Sequence, residues 1–330
     1  MLYPLKFKSI LKDKIWGGKR LKTILNKLEA SEKAGESWEL SAYNGDISIV
    51  SNGPLRGKTL TGLVEENMGD LVGNSVYEKF GKNFPLLIKF IDANDFLSLQ
   101  VHPDDKFASI HHGLNGKTEM WYIIDAEKDA KLITGFNQKI NRVQCQDLLE
   151  RGEIQKILKE EKVAPGDVFY IQAGTVHTVY PGILLAEIQQ TSDLTYRMYD
   201  WNRKDSKGNS RELNTELALD AINYNSEGLS KINYSPEKNK NIPLVRSEHF
   251  TTGIITFDKE LWKDYTFIDS FIIYLCTEGE FIIISKNKTE TMVKKGDVIL
   301  IPSILKEIKL RPQTRSTLLE VYIDQQKNNL

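Results

Sequence analysis

Apolar residues are spaced in two different ways along this chain. Before residue 84 the pattern is mixed: 21–30 and 60–72 carry apolar side chains at helical spacing, and the stretch between them is rich in the turn-formers Gly, Asn and Ser. From Phe84 the pattern changes to short apolar or alternating runs, namely PLLIKFID, FLSLQVH, MWYIID, AKLITGF, VFYIQA, TVHTVY and ILLAEIQQ. Such β-branched and aromatic runs, punctuated by Gly, Pro, Asn and Asp, predict antiparallel strands of a sandwich or barrel. Two stretches interrupt them with helical spacing, 146–162 and 211–223. A polar, Asn-, Ser- and Lys-rich stretch at 224–242 reads as a linker. Strand texture then resumes in TTGIITF, SFIIYLC, EFIIIS, DVILIPS and STLLEVYI. The expected fold is mainly β with helical insertions, divided into residues 1–240 and 241–330.

Two segments resemble each other: Gly166-Asp-Val-Phe-Tyr-Ile-Gln-Ala and Gly296-Asp-Val-Ile-Leu-Ile-Pro-Ser. Each sets a Gly-Asp turn before an apolar strand, which predicts a pair of related β-barrels. The copies are unequal. His177 lies eleven residues after Gly166, whereas the same offset from Gly296 falls on Glu307. The second copy therefore reads as chemically empty, with Ile282, Ile284, Ile299 and Ile301 as core.

Composition narrows the field. The 330 residues hold 44 Lys+Arg against 45 Asp+Glu, which gives no electrostatic reason to expect nucleic acid or an anionic membrane as partner. No run approaches the roughly 18 apolar residues of a membrane span, and the first residues lack the apolar core of a secretory signal. The two cysteines, Cys145 and Cys276, suggest no disulfide framework. A cytoplasmic location follows by default.

Five histidines occur. In Ser98-Leu-Gln-Val-His the period of two sends Ser98, Gln100 and His102 to one face and Leu97, Leu99 and Val101 to the other. A face of Ser, Gln and His makes a poor core and a good lining for a wet cavity. Leu185, Glu187 and Gln189 share a face in the same way, as do Thr175, His177 and Val179. A metal site needs about four converging donors, and Gln100, His102, Glu119 and His177 are the best set. A hydrogen-bonded core histidine is the competing reading of His102. Donors without thiolate suit Zn, Fe, Mn or Co alike. His111 and His112, before Gly113, read as a solvated helix end.

Several ordered motifs resemble the type I phosphomannose isomerases of the cupin superfamily, in their short bacterial form. PLLIKFIDANDFLSLQVHPDD is similar to the family segment that carries a Lys, a Ser and a Gln-x-His metal pair. Lys117-Thr-Glu119, Tyr170-Ile-Gln-Ala-Gly-Thr-Val-His177, and Glu187 followed by Ser192-Asp193-Leu-Thr-Tyr-Arg197 match further motifs, as do Trp16-Gly-Gly and Glu36-Ser-Trp38-Glu39. Leu194 stands where the family usually has Asn. The resemblance covers residues 1–200 well. It implies two cupin-like antiparallel β-barrels (jelly rolls), of which only the N-terminal one binds metal, and one Zn2+ held by Gln100, His102, Glu119 and His177. It also implies catalytic roles for Arg197 and Lys117 and substrate contacts from Lys89, Ser98, Glu187, Asp193 and Trp16.

The implied reaction interconverts mannose 6-phosphate and fructose 6-phosphate through a cis-enediol, in a protein that is a monomer or homodimer. A lysine beside the metal, Lys117, is expected to have a depressed pKa and carry the proton. Turnover of an unphosphorylated aldose, or a different metal-dependent cupin chemistry, are the alternatives.

Overall fold

The computed structural model describes residues 1–204, 207–225, 230–286 and 288–324. A seven-stranded antiparallel sheet runs in the order Ser230–Lys231, Val168–Ile171, Glu119–Ala126, Ile183–Gln190, Leu86–Ala93, Ala34–Leu40, Ile10–Gly18. The pleat separates its two faces. Leu184, Ala186 and Ile188 join Ile88, Phe90, Met120 and Tyr122 in one core, while Leu185, Ile91, Trp121 and Ile123 join the opposite one.

The first face packs on a six-stranded sheet ordered Leu5–Lys6, Val298–Ile301, Ile272–Glu278, Ser316–Tyr322, Thr251–Phe257, Asn241–Arg246. Ile273, Leu275, Leu300, Leu319 and Val321 supply its side of the shared core. Leu5 and Lys6 pair with Leu300 and Ile299, so the chain's beginning crosses the expected division at residue 240.

The other face of the seven-stranded sheet is covered by short strands. Leu158–Lys162, Lys131–Phe136 and Thr178–Val179 form one group, and Leu99–Val101 with Tyr196–Tyr199 forms another. A bridge between Gln100 and His177 joins the groups. In the C-terminal half, four strands (Leu261–Asp264, Glu307–Pro312, Glu280–Ser285, Glu290–Lys294) cover the six-stranded sheet over a core of Phe257, Tyr274, Phe281, Ile283 and Ile299. The chain is thus mainly β with helical insertions. Strand pairing among the described residues leaves the layers as separate open sheets and closes neither half into a barrel.

Several local expectations are corrected. The helix at 60–72 is present as Leu60–Val72, with Thr59 accepting from Gly62 N at its start. At 21–30 only Arg20–Thr23 is helical; Asn26 adopts a positive φ of 56°, and Leu21 and Leu25 reach the core from a turn. The helix expected over 146–162 is Arg142–Glu150, capped by Asn141. Gly152, at φ 68°, turns the chain, and Leu158–Lys162 becomes a strand. At 211–223 the helix is Thr215–Ala221. The stretch 224–242 is partly sheet: Ser230–Lys231 edges the large sheet and Tyr234 Oη donates to Gly166 O. Its residues 226–229 lie outside the described ones. Phe281, Ile283, Ile299 and Ile301 belong to the C-terminal core; Ile282 is buried outside that cluster, and Ile284 is only half-buried. No helix among the described residues is long and apolar enough to cross a membrane.

Candidate metal and sugar site

Strand register builds the site. Phe169, Trp121, Glu187, Lys89 and Trp38 lie in one row across the seven-stranded sheet. Glu119 follows one pleat repeat from Trp121, and Glu36 stands one repeat from Trp38. From the opposite layer, Gln100 and His177 come together because their backbones pair, Gln100 N to His177 O at 3.1 Å and His177 N to Gln100 O at 3.0 Å. Lys117 is drawn in by the loop before its strand, where Lys117 N donates to Pro103 O at 3.0 Å. Residue 116 must be glycine for this approach, since a Cβ there would lie 2.5 Å from the backbone of Asp104 and Asp105.

His102, Glu119 and His177 each offer a ligand atom within 4.8 Å of the others, and all three are buried. Glu119 Oε2 is ion-paired with Lys117 at 2.7 Å, whereas its buried Oε1 accepts no hydrogen bond and stands 3.6 Å from His177 Nε2. A buried carboxylate oxygen left without a partner is costly, and a cation at the point where the two imidazoles converge would satisfy it. His102 Nδ1–H donates to Leu194 O and His177 Nδ1–H to Thr175 O, each at 2.8 Å. Those bonds fix the tautomer and leave both Nε2 lone pairs facing Glu119. Burial, helped by the neighbouring Lys117 charge, holds His102 well below its ordinary pKa, and burial brings His177 down to about 4. Both are therefore neutral, as ligands must be. The Gln100 amide lies 3.4 Å from His177 Nε2, and turning the amide over presents its oxygen instead. These donors fit a divalent metal. The departure at Leu194 is harmless for this function, because His102 uses only its carbonyl.

A cavity of about 240 Å3 opens above these donors. Among its walls are Trp16, Lys89, Ser98, Gln100, Lys117, Glu187, Asp193 and Arg197, so the structure brings the sequence-selected residues into one cup. A larger groove of about 890 Å3, beside Met1, Glu66 and Ile304, gathers no converging donors and is not the chemical site. Lys89 is buried with Asp193 at 3.0 Å and Glu187 at 3.4 Å. Burial alone depresses its pKa, but Asp193, Glu187 and Glu36 outweigh that and raise it. Lys117 behaves likewise: burial lowers it, Glu119 at 2.7 Å and Glu187 at 3.7 Å raise it more, and the net direction is upward. The expected depression is therefore corrected; two carboxylates facing one ammonium keep it charged. Glu187 moves up, because burial and Glu119 outweigh Lys117 and Lys89. Its Oε2 accepts from Trp121 Nε1 at 3.1 Å, and its Oε1 accepts no hydrogen bond.

Sequence reasoning overlooked Glu36, Lys14 and Arg211 as walls of the cup. Glu36 was visible in principle as a carboxylate sharing a strand face with Trp38, which donates to it at 2.7 Å. Arg211 gave no signal, since it is placed by the loop leading into Asn214. Glu307, the counterpart of His177 by offset, is exposed and pairs with Lys286 at 3.4 Å.

Comparison with known proteins agrees with this geometry. A sequence model described as phosphomannose isomerase type I, catalytic domain, matches residues 4–145. The chain is 38% identical over 315 residues to mannose-6-phosphate isomerase ManA of Bacillus subtilis, covering 93% of this chain and 95% of that protein. It is 34% identical over 307 residues to mannose-6-phosphate isomerase of Streptococcus mutans, covering 93% and 94%. The crystal structure of the mannose 6-phosphate isomerase from Bacillus subtilis superposes with a TM-score of 0.87 at 33% identity, over 97% of this chain and 99% of that one. With its metal donors buried under a polar cup and relatives of this identity along nearly its whole length, the chain belongs to the type I mannose-6-phosphate isomerase family.

Proposed function

We propose that this chain interconverts mannose 6-phosphate and fructose 6-phosphate in the cup, with one Zn2+ held by Gln100, His102, Glu119 and His177. The observation that carries the reading is the convergence of Glu119, with its unbonded Oε1, and two tautomer-fixed histidines at the foot of the cup. When bound, the metal supplies Lewis-acid polarisation of the sugar's carbonyl oxygen.

The chain's own residues do the rest. Glu187, with a raised pKa and a bare Oε1, takes the proton from C2 and returns it to C1. The C1 oxygen gains a proton as the cis-enediol forms, and the C2 oxygen gives one up as the ketone appears. Lys117, kept charged, donates to the oxygen on which negative charge develops. Arg197 cannot act as a base and holds the same charge from the rim. Lys89, Ser98, Asp193 and Trp16 orient the sugar. Residues 1–240 form the cupin-like catalytic unit, and residues 241–330 form a second cupin-like unit without metal.

The test is metal analysis with a coupled fructose 6-phosphate assay, run on chelated and zinc-reloaded protein. Activity should leave with the metal and return with it. Turnover of mannose with none of mannose 6-phosphate would move the reading to an unphosphorylated substrate, and oxygen consumption by an iron-loaded form would move it to another cupin chemistry.

A further inference from the structure

The Arg197 wall of the cup carries more positive charge than the sugar's hydroxyls call for. Among the described residues that line the cup, Lys14, Lys89, Lys117, Arg197 and Arg211 face Glu36, Glu187 and Asp193 as carboxylates. Lys14 is matched by Glu36 at 2.9 Å, and Lys89 and Lys117 are matched as described. The remaining positive charge therefore lies on the arginine wall, where Arg211 shares its carboxylate, Asp200, with Arg203.

They are brought together by backbone pairing. Asn214 N donates to Arg197 O at 2.9 Å, and Arg197 N to Asn214 Oδ1 at 3.3 Å, which lays 211–214 beside the Arg197 strand. Asp200, nearly buried, then fixes the rotamer. Arg211 Nε donates to Asp200 Oδ2 at 2.7 Å and its Nη2 to Oδ1. Arg203 takes the same carboxylate through Nη2 at 2.5 Å, but turns its Nη1 to Phe96 O and does not line the cup. Two guanidiniums thus share the Asp200 carboxylate, and Arg197 feels its charge without bonding it. Arg197 donates through Nη1 to Glu212 O at 2.7 Å, and its Nε is buried with no hydrogen-bond partner. Burial and the neighbouring Arg211 charge pull its pKa down against the opposing effect of Asp200.

We propose that Arg211, oriented by Asp200, is the residue that grips the substrate's phosphate, and so sets the preference for phosphorylated over free sugar. A planar guanidinium, already committed to Asp200 on one edge, has further N–H donors for a phosphate oxygen. A phosphate dianion there offsets the surplus charge, while Arg197, a neighbour on the same wall, serves the reacting end. Asp200 is a positioning residue, since it acts through Arg211. The assignment rests on the sugar-phosphate reading above.

The experiment uses zinc-loaded Arg211→Gln and Arg211→Lys proteins. Loss of a charged hydrogen bond of about 1.5–3 kcal/mol corresponds to about 10–150-fold. KM for mannose 6-phosphate should therefore rise by about that factor in Arg211→Gln, with kcat within about threefold and zinc content unchanged; Arg211→Lys should recover part of the loss. Calorimetry with sorbitol 6-phosphate and with sorbitol, neither of which reacts, reads the phosphate preference directly. Wild type should prefer the phosphorylated ligand, and Arg211→Gln should lose that preference. An unchanged KM and unchanged preference in Arg211→Gln overturns the assignment, as does a fall in kcat at constant KM. Absence of mannose 6-phosphate turnover by wild type would instead overturn the reaction reading, and calorimetry still decides the role of Arg211.

Discussion

Glu187 and Glu320 occupy the same place in the two halves of the molecule, and they have opposite chemistry. The Gly-Asp turns are superposable in their bonding: Gly166 N donates to Ile123 O as Gly296 N donates to Cys276 O, and Asp167 and Asp297 each accept a backbone N–H three residues back. Three residues on, Phe169 pairs with Trp121 and Ile299 with Tyr274. Across the next ladder, Trp121 pairs with Glu187 and Tyr274 with Glu320. In the following strand Glu187 meets Lys89, but Glu320 meets Gly253. A side chain at 253 would collide with Asn241, which lies 2.1 Å from the Cβ position and donates to Glu320. The C-terminal carboxylate is instead held by Lys263 at 2.9 Å and by Tyr265, whose hydroxyl also contacts Tyr274. Both carboxylates are buried. Glu187 and its neighbour Glu119 keep orphaned oxygens beside a cavity, whereas both Glu320 oxygens are bonded. Burial alone does not mark a site; unsatisfied burial beside a cavity does.

The largest expected break in this comparison is removal of a metal donor. His177→Ala should lose bound zinc and at least ~10³-fold in activity, because several kcal/mol of charge stabilisation go with the metal. Retention of one tightly bound zinc with normal turnover would show the donors to be wrongly assigned. Arg197→Ala should lower kcat by about 10²–10³, the usual cost of losing a donor aimed at transition-state charge. Zinc content and KM should change little, and a kcat within a few-fold of wild type would demote it to a brace.

Acid should separate the halves next. In metal-stripped protein burial brings His177 down to about 4 against an unfolded value near 6.5, and it also holds His102 well below that value. The unfolded chain binds protons first as pH falls, so stability present above about 6.5 drains away through about 4, by on the order of 3 kcal/mol for His177. The hydroxyls of Tyr265 and Tyr274 are raised well above 10.0, mainly by burial, so they weaken the fold only as pH rises past about 10. Chemical denaturation of the apo protein across pH 4–8 checks the acid limb, and a flat profile would remove the histidines from the account. The smallest effect belongs to the C-terminal cluster. Tyr265→Phe should cost about 1–3 kcal/mol by leaving Glu320 short of a donor, with kcat and zinc unchanged; a loss of turnover in the folded variant would mean that the second half is not inert.

Strand texture, its period and the motif order were enough to single out His102, Glu119 and His177, which the fold brings together, and to assign Glu187 a face, because pleat alternation is local and needs no knowledge of the partner strand. The same local rule did not separate Ile284, which is only half-buried, from the inward Phe281 and Ile283, since an all-apolar strand carries no alternation to say which face is inside. Helix at 146–162 was legible only to Glu150, where Gly152 reverses the chain and the polar run is recruited as an edge strand by Lys131–Phe136. What the sequence determined by itself was which residues share a strand face and which half carries the His102 and His177 motifs. Tertiary structure alone decided that Lys117 stays charged, that Arg211 enters the cup on Asp200, and that Glu320 is sealed where Glu187 is open, because each depends on the distance between groups far apart along the chain, and electrostatic energy and desolvation are set by that distance and not by sequence order.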